Sequence, residues 1–176
     1  MEAESSVPAR GRSLVLLLDT NVLLDYFIRR NERNAAVVEL FGLADACEGV
    51  VLCVASLTLK DTYYLLERFL KREAATQGRA SDAAAAAART AAWACVRQVL
   101  DHVQVVSVGL DEVLEACALR RIHGDFEDDL ILAAAMKAGA DYLVTSDGRL
   151  ERHVPEASVD VARALELARD RAGAAA

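Results

Sequence analysis

Apolar and polar positions along this chain follow two rhythms. Residues 14–18 (LVLLL) form an unbroken apolar run, the pattern of a strand buried on both faces within a parallel sheet. The segments VVLCVA (50–55), VQVVSV (103–108) and DYLVTS (141–146) repeat that pattern, and ASVDV (157–161) does so more weakly. Between these runs the apolar residues recur at helical spacing. NVLLDYFIRR and NAAVVELFGLADAC follow the first run, and TLKDTYYLLERFLKRE carries Leu59, Tyr63, Leu66 and Leu70 on one stripe. SDAAAAAARTAAWACVRQVL, LDEVLEACALRR, DFEDDLILAAAMKAG and VARALELARDR complete the set, with Gly139 where a helix-ending glycine belongs. Strands alternating with helices predict right-handed βαβ units. The expected fold class is therefore α/β, a three-layer α/β/α sandwich of Rossmann-like character around a mostly parallel central sheet.

The chain has 176 residues and is 54% hydrophobic, enough for one substantial core and thus one domain. Only 5% of residues are aromatic and alanine is abundant, so that core is expected to be aliphatic. The boundaries expected are a disordered leader at 1–13, the domain at 14–168 and a flexible tail at 169–176. No apolar run approaches the roughly 20 residues that span a bilayer, and the run before Asp19 is too short for a signal-peptide core. A cytoplasmic protein with no membrane partner is expected. Cys47, Cys53, Cys95 and Cys117 are scattered, without zinc-ligand spacing, and read as buried reduced thiols. The net charge of −7 gives no general affinity for polyanions. It is compatible with a carboxylate cluster or with ordinary surface charge.

Asp19 interrupts the apolar text, since it follows LVLLL directly and NVLL comes two residues later. A carboxylate there needs a partner to offset desolvation. In an open parallel sheet, ligands bind beyond the carboxyl ends of strands. Asp19 and Asp147 both follow strand-like runs, Asp61 lies early in the helix after the second strand, and Asp125, Glu127, Asp128 and Asp129 crowd the start of another helix. Each has an ordinary alternative: Asp125 as a helix cap, Thr58 with Asp61 as a capping box, Asp147–Gly148 as a turn. Yet Asp125 faces Asp128 and Asp129 at one-turn spacing, where like charges repel. One carboxylate cluster around one or two hard cations accounts for all of them. Oxygen ligands without clustered His or Cys favour Mg²⁺ or Mn²⁺.

The stretches LLLDTNVLLDYF, SLTLKDTYYLL and DFEDDLILAAAMKAGADYLVTSD, in that order, resemble the PIN domain, the fold of VapC-type toxin ribonucleases. The resemblance covers about residues 14–167 and rests on the opening Asp-Thr-Asn-Val and the closing Thr-x-Asp. It implies a metal-dependent endoribonuclease that hydrolyses RNA phosphodiester bonds, with an antitoxin protein as partner and a homodimeric assembly. It also implies roles for particular residues: Asp19, Asp61, Asp128 and Asp147 as the catalytic set, with Asp19, Asp128 and Asp147 as metal ligands. Asn21 would orient Asp19, and Ser146, Asp125 and Asp129 would support the site. Two departures stand out. Asp61 falls where many members carry the longer Glu, and Asp129 replaces a small residue, which leaves open whether Asp128 or Asp129 is the ligand.

Arg29, Arg30 and Arg33, and Arg68, Lys71 and Arg72, are candidates for phosphate contacts, the helix spacing placing Arg68 and Arg72 on the Asp61 face, but the ordinary reading of such charge runs is a solvated face. Arg120, Arg121 and His123 precede the acidic helix, while His102 and His153 have no partner visible in the sequence. Trp93 reads as a core or dimer-interface residue. Two other readings fit parts of the sequence. A HAD-type phosphatase also opens with an apolar strand and an aspartate, but needs a second acid at position 21, where this chain has Asn21. A PIN-like binding module without turnover is the other, and Asp61 in place of Glu favours it.

Overall fold

The structure is a computed structural model that describes residues 12–29, 31–121 and 124–175. Most of the expected leader, together with Arg30 and His123, lies outside the described residues. The first half of the chain runs β1 (Leu14–Leu18), α1 (Thr20–Phe27), α2 (Arg33–Ala46), β2 (Val50–Ala55), α3 (Ser56–Thr76) and α4 (Asp82–Leu100). The second half runs β3 (Gln104–Val106), α5 (Leu110–Leu119), α6 (Phe126–Ala138), β4 (Tyr142–Val144), α7 (Gly148–His153), β5 (Ser158–Val159) and α8 (Val161–Ala175). The strands form one parallel sheet in the order β3-β2-β1-β4-β5. β1 is central, with Leu16 aligned with Leu52 on one side and with Tyr142 on the other. The strand order reverses between β1 and β4, so the crevice at their carboxyl ends is where the topology leaves room for a ligand.

The two faces of β1 explain its unbroken apolar text. Leu14, Leu16 and Leu18 join Val50, Leu52 and Val54 against Val37, Leu40 and Phe41 of α2 and Ala164 and Ala168 of α8. Leu17, with Cys53 and Ala55, faces Ile131, Ala134 and Ala135 of α6. With a side-chain period of two, each strand residue enters one layer or the other, and full burial of each leucine is worth about 1.5–3 kcal/mol. The result is the expected three-layer α/β/α sandwich. α3 and α4 pack together beside it, touching α1 through Leu66, Ala92 and Leu24. Among the described residues no helix is long and apolar enough to cross a membrane.

Several expectations change. Position 169 does not begin a tail: α8 continues to Ala175, and Arg169 Nη2 pairs with Glu39 at 2.7 Å. α7 is an unforeseen helix, started by Asp147 and anchored by buried Leu150. Thr58 does not cap α3, which begins at Ser56 after Ala55, so Thr58 is a buried residue inside the helix. Cys53 is buried but Cys117 is exposed. Trp93 is 60% exposed, outside the core, and rests on Tyr63. Gly139 does end α6, in the left-handed region at φ 59°.

Candidate active site

Asp19 leaves β1 in extended conformation and caps α1, so one residue serves both the strand end and the helix start. Its Oδ1 accepts the Thr20 backbone N–H at 2.6 Å and its Oδ2 accepts the Thr145 hydroxyl at 2.9 Å. The Asn21 side chain supplies a further hydrogen bond. Only 6% of Asp19 is exposed. Burial is the largest influence and raises its pKa; the three hydrogen bonds oppose the rise, and the charge of Asp147 adds to it. Thr145 is the hinge of this arrangement. Its backbone N–H continues the sheet to Val159, and its hydroxyl oxygen accepts the Asp147 backbone N–H at 3.0 Å. A single side chain at the end of β4 thereby ties Asp19 to the Asp147 backbone, 128 positions along the chain from Asp19. Asp147 in turn caps α7, accepting the Arg149 N–H at 2.8 Å.

α3 and α6 bring further acids. Asp61 pairs through Oδ1 with Lys60 Nζ at 2.9 Å. Its Oδ2 is buried and accepts no hydrogen bond among the described residues. The pKa of Glu127 is raised, first by burial and then by the charge of Asp61, with Asp125 and Asp19 adding and Lys60 opposing. These influences place Asp19, Asp61, Glu127 and Asp147 within one electrostatic neighbourhood. Asp125 caps α6 by accepting the Glu127 N–H at 3.1 Å, as its sequence position predicts. Asp128 is half-buried, whereas Asp129 is turned inward and is 1% exposed. Among the described residues no three His, Cys, Asp or Glu side chains are gathered tightly enough to form a ready metal-ligand set. An ion shared by three of these acids would require side-chain adjustment.

Ser146 sits apart from Asp19: its hydroxyl lies 3.5 Å from Asp25, while the neighbouring Thr145 makes the contact with Asp19. Ser146, Asn21 and Asp147 line an open cleft of about 440 Å³ with Asn31, Arg33 and Gly148. Arg68 and Arg72 line a different groove, against Leu24, Ile28, Leu65 and Phe69. Lys71 is paired with Glu67, and His102 with Asp45. Arg29, Arg120 and Arg121 are exposed. The sequence places Glu127 among the acids without a role of its own, and does not mark the role of Thr145 or the buried Asp25. Thr145 was readable in the Thr-x-Asp motif. Asp25 gave no signal beyond an acid in an apolar helix.

A PIN domain model matches residues 15–149. The chain belongs to the PIN domain family. No curated protein sequence matches it. Among solved structures it is similar to VapBC2 from Rickettsia felis bound to a promoter DNA fragment, at 16% identity and TM-score 0.56, covering 83% of this chain and 98% of that one. DNA-bound VapBC from Salmonella typhimurium is similar at 20% identity and TM-score 0.57, covering 84% and 98%. VapC20 from Mycobacterium tuberculosis, a sarcin–ricin loop cleaving toxin, is similar at 22% identity and TM-score 0.53, covering 78% and 93%. At these identities the likeness is one of fold.

Proposed function

We propose that this protein is a divalent-metal-dependent endoribonuclease, the toxin of a toxin–antitoxin pair. Membership of the PIN domain family supports this reading, as does the fold shared with VapC20, a sarcin–ricin loop cleaving toxin, and with VapBC complexes. The observation that carries it is the Asp19–Thr145–Asp147 linkage at the switch point of a parallel sheet. A buried carboxylate there, held beside a second one, is poorly explained by stability alone.

The donor set fits a hard cation. It is oxygen-only, it includes the orphaned buried Oδ2 of Asp61, and it contains two acids whose pKa values burial and mutual charge raise. Asp19, Asp128 and Asp147 would hold Mg²⁺ or Mn²⁺, with Asp61 and Glu127 adjusting the charge around it. Bound there, the cation supplies an activated water and neutralises charge on the phosphodiester. Asn21 and Thr145 keep Asp19 oriented, Asp125 starts the acidic turn of α6, and Asp129 is an alternative ligand to Asp128. RNA is the substrate, an antitoxin protein the expected inhibitor, and a homodimer the expected assembly, all in the cytoplasm.

The test is cleavage of mixed RNAs with Mn²⁺ against a chelator control, comparing wild type with Asp19→Asn. Cleavage that needs the metal and is lost in the variant is expected. Cleavage that persists equally in both would overturn the proposal.

A further inference from the structure

Asp25 is a carboxylate the proposed chemistry does not use, and it is 0% exposed. Burying such a group is unfavourable by several kcal/mol, and an apolar residue of similar size commonly serves stability as well or better. What it does is visible in its partners. Oδ1 accepts Asn31 Nδ2 at 2.8 Å, Oδ2 accepts Arg33 Nε at 2.8 Å, and the Ser146 hydroxyl stands 3.5 Å from Oδ2. Asn31, Arg33 and Ser146 are three of the six residues lining the cleft beside Asp147. One buried acid thus fixes half of that wall. The start of α2 is held to the end of α1 as well, because Asn34 Nδ2 donates to the Asp25 and Tyr26 carbonyls.

We infer that this cleft is a phosphate-binding subsite, in which Arg33, held from behind by Asp25, takes a backbone phosphate of the RNA next to the bond that is cut. The inference rests on the nuclease reading above. A guanidinium has five N–H donors in a planar fork suited to phosphate. Nε is spent on Asp25, and the Arg33 side chain is 48% exposed, so its terminal N–H groups face a ligand without leaving the anchor. The rest of the lining is two amides, a hydroxyl, Asp147 and a glycine, with no apolar side chain. Such a surface suits a sugar–phosphate backbone better than the apolar side chains of a bound peptide. Asp147 belongs both to this wall and to the candidate catalytic cluster, so the phosphate lies adjacent to the reacting one.

The test is fluorescence anisotropy of a short labelled single-stranded oligoribonucleotide in chelator, across a salt series, for wild type, Arg33→Ala, Arg33→Lys and Asp25→Asn. Arg33→Ala is expected to weaken binding by about ten-fold or more, as losing a charge-assisted hydrogen bond should. It should also flatten the log–log salt dependence by about 0.7, one phosphate's worth for a single strand. Arg33→Lys should keep the slope but recover only part of the affinity, and Asp25→Asn should weaken binding although no cation is lost. Wild-type affinity and slope in both Arg33 variants would overturn the inference. So would an Arg33 requirement confined to an acidic peptide probe. Arg33-dependent binding without metal-dependent cleavage would leave the subsite standing and remove the nuclease reading.

Discussion

Asp19 is a carboxylate held in place by what surrounds it at the end of β1. Its neighbours in sequence are so apolar that a carboxylate among them needed a reason, and the structure supplies burial, three hydrogen bonds and a like charge at Asp147. Asp25 lies in the same stretch and is more deeply buried, yet nothing in its spacing distinguished it, because its partners Asn31 and Arg33 come from before and at the start of α2, whose placement against α1 the sequence does not specify. The ambiguity at the start of α6 is of another kind. Successive residues are about 100° apart on a helix, so the choice among Glu127, Asp128 and Asp129 depends on how the helix is rotated about its axis. Asp19 also has a pH signature. Its pKa is raised above the ordinary 3.8, so the unfolded chain releases this proton first, and stability falls as pH rises past that value until the folded carboxyl ionises. In chelator, the melting temperature of wild type should therefore decline relative to Asp19→Asn on going from about pH 4 to about pH 7. A constant difference across that range would exclude a raised pKa.

At the scale of elements, β1, β2 and β4 were legible because central parallel strands are apolar on both faces. α7 was not, since a six-residue helix with one buried leucine has no period to detect. The ends of α6 carry two measurable consequences. Gly139 adopts φ 59° with open space where a Cβ would stand, so Gly139→Ala meets strain but no clash and should destabilise by about 1 kcal/mol in chemical denaturation. Near the same end, Lys137 reaches back to α5. Glu112 accepts the Gly109 N–H at 2.6 Å and pairs with Lys137 at 2.9 Å; first the backbone bond and then the lysine lower its pKa. A depressed carboxyl stabilises the fold above its ordinary value of 4.5 and loses that contribution as pH falls through the lowered one. Glu112→Gln should melt below wild type at neutral pH, and the gap should close in acid; thermal scans across that range decide it.

For the whole molecule, the proposed cation site predicts linkage between ion binding and folding. Mn²⁺ should raise the melting temperature of wild type, with about 1.4 kcal/mol gained per decade of free ion above the dissociation constant. Asp147→Asn should lose most of that response and Lys137→Ala, remote from the cluster, should keep it; equal shifts in Asp147→Asn and wild type would place the ion elsewhere. The sheet order also bears on how the molecule comes into being. Asp19 leaves the ribosome early, but the hydroxyl that holds it belongs to Thr145, 126 residues later, just past a strand that can pair only after α6 has been made. A half-synthesised chain thus has its first acid and no pocket to put it in. A fragment that ends before β4 lacks both Thr145 and Asp147, and so cannot form the linkage that holds Asp19.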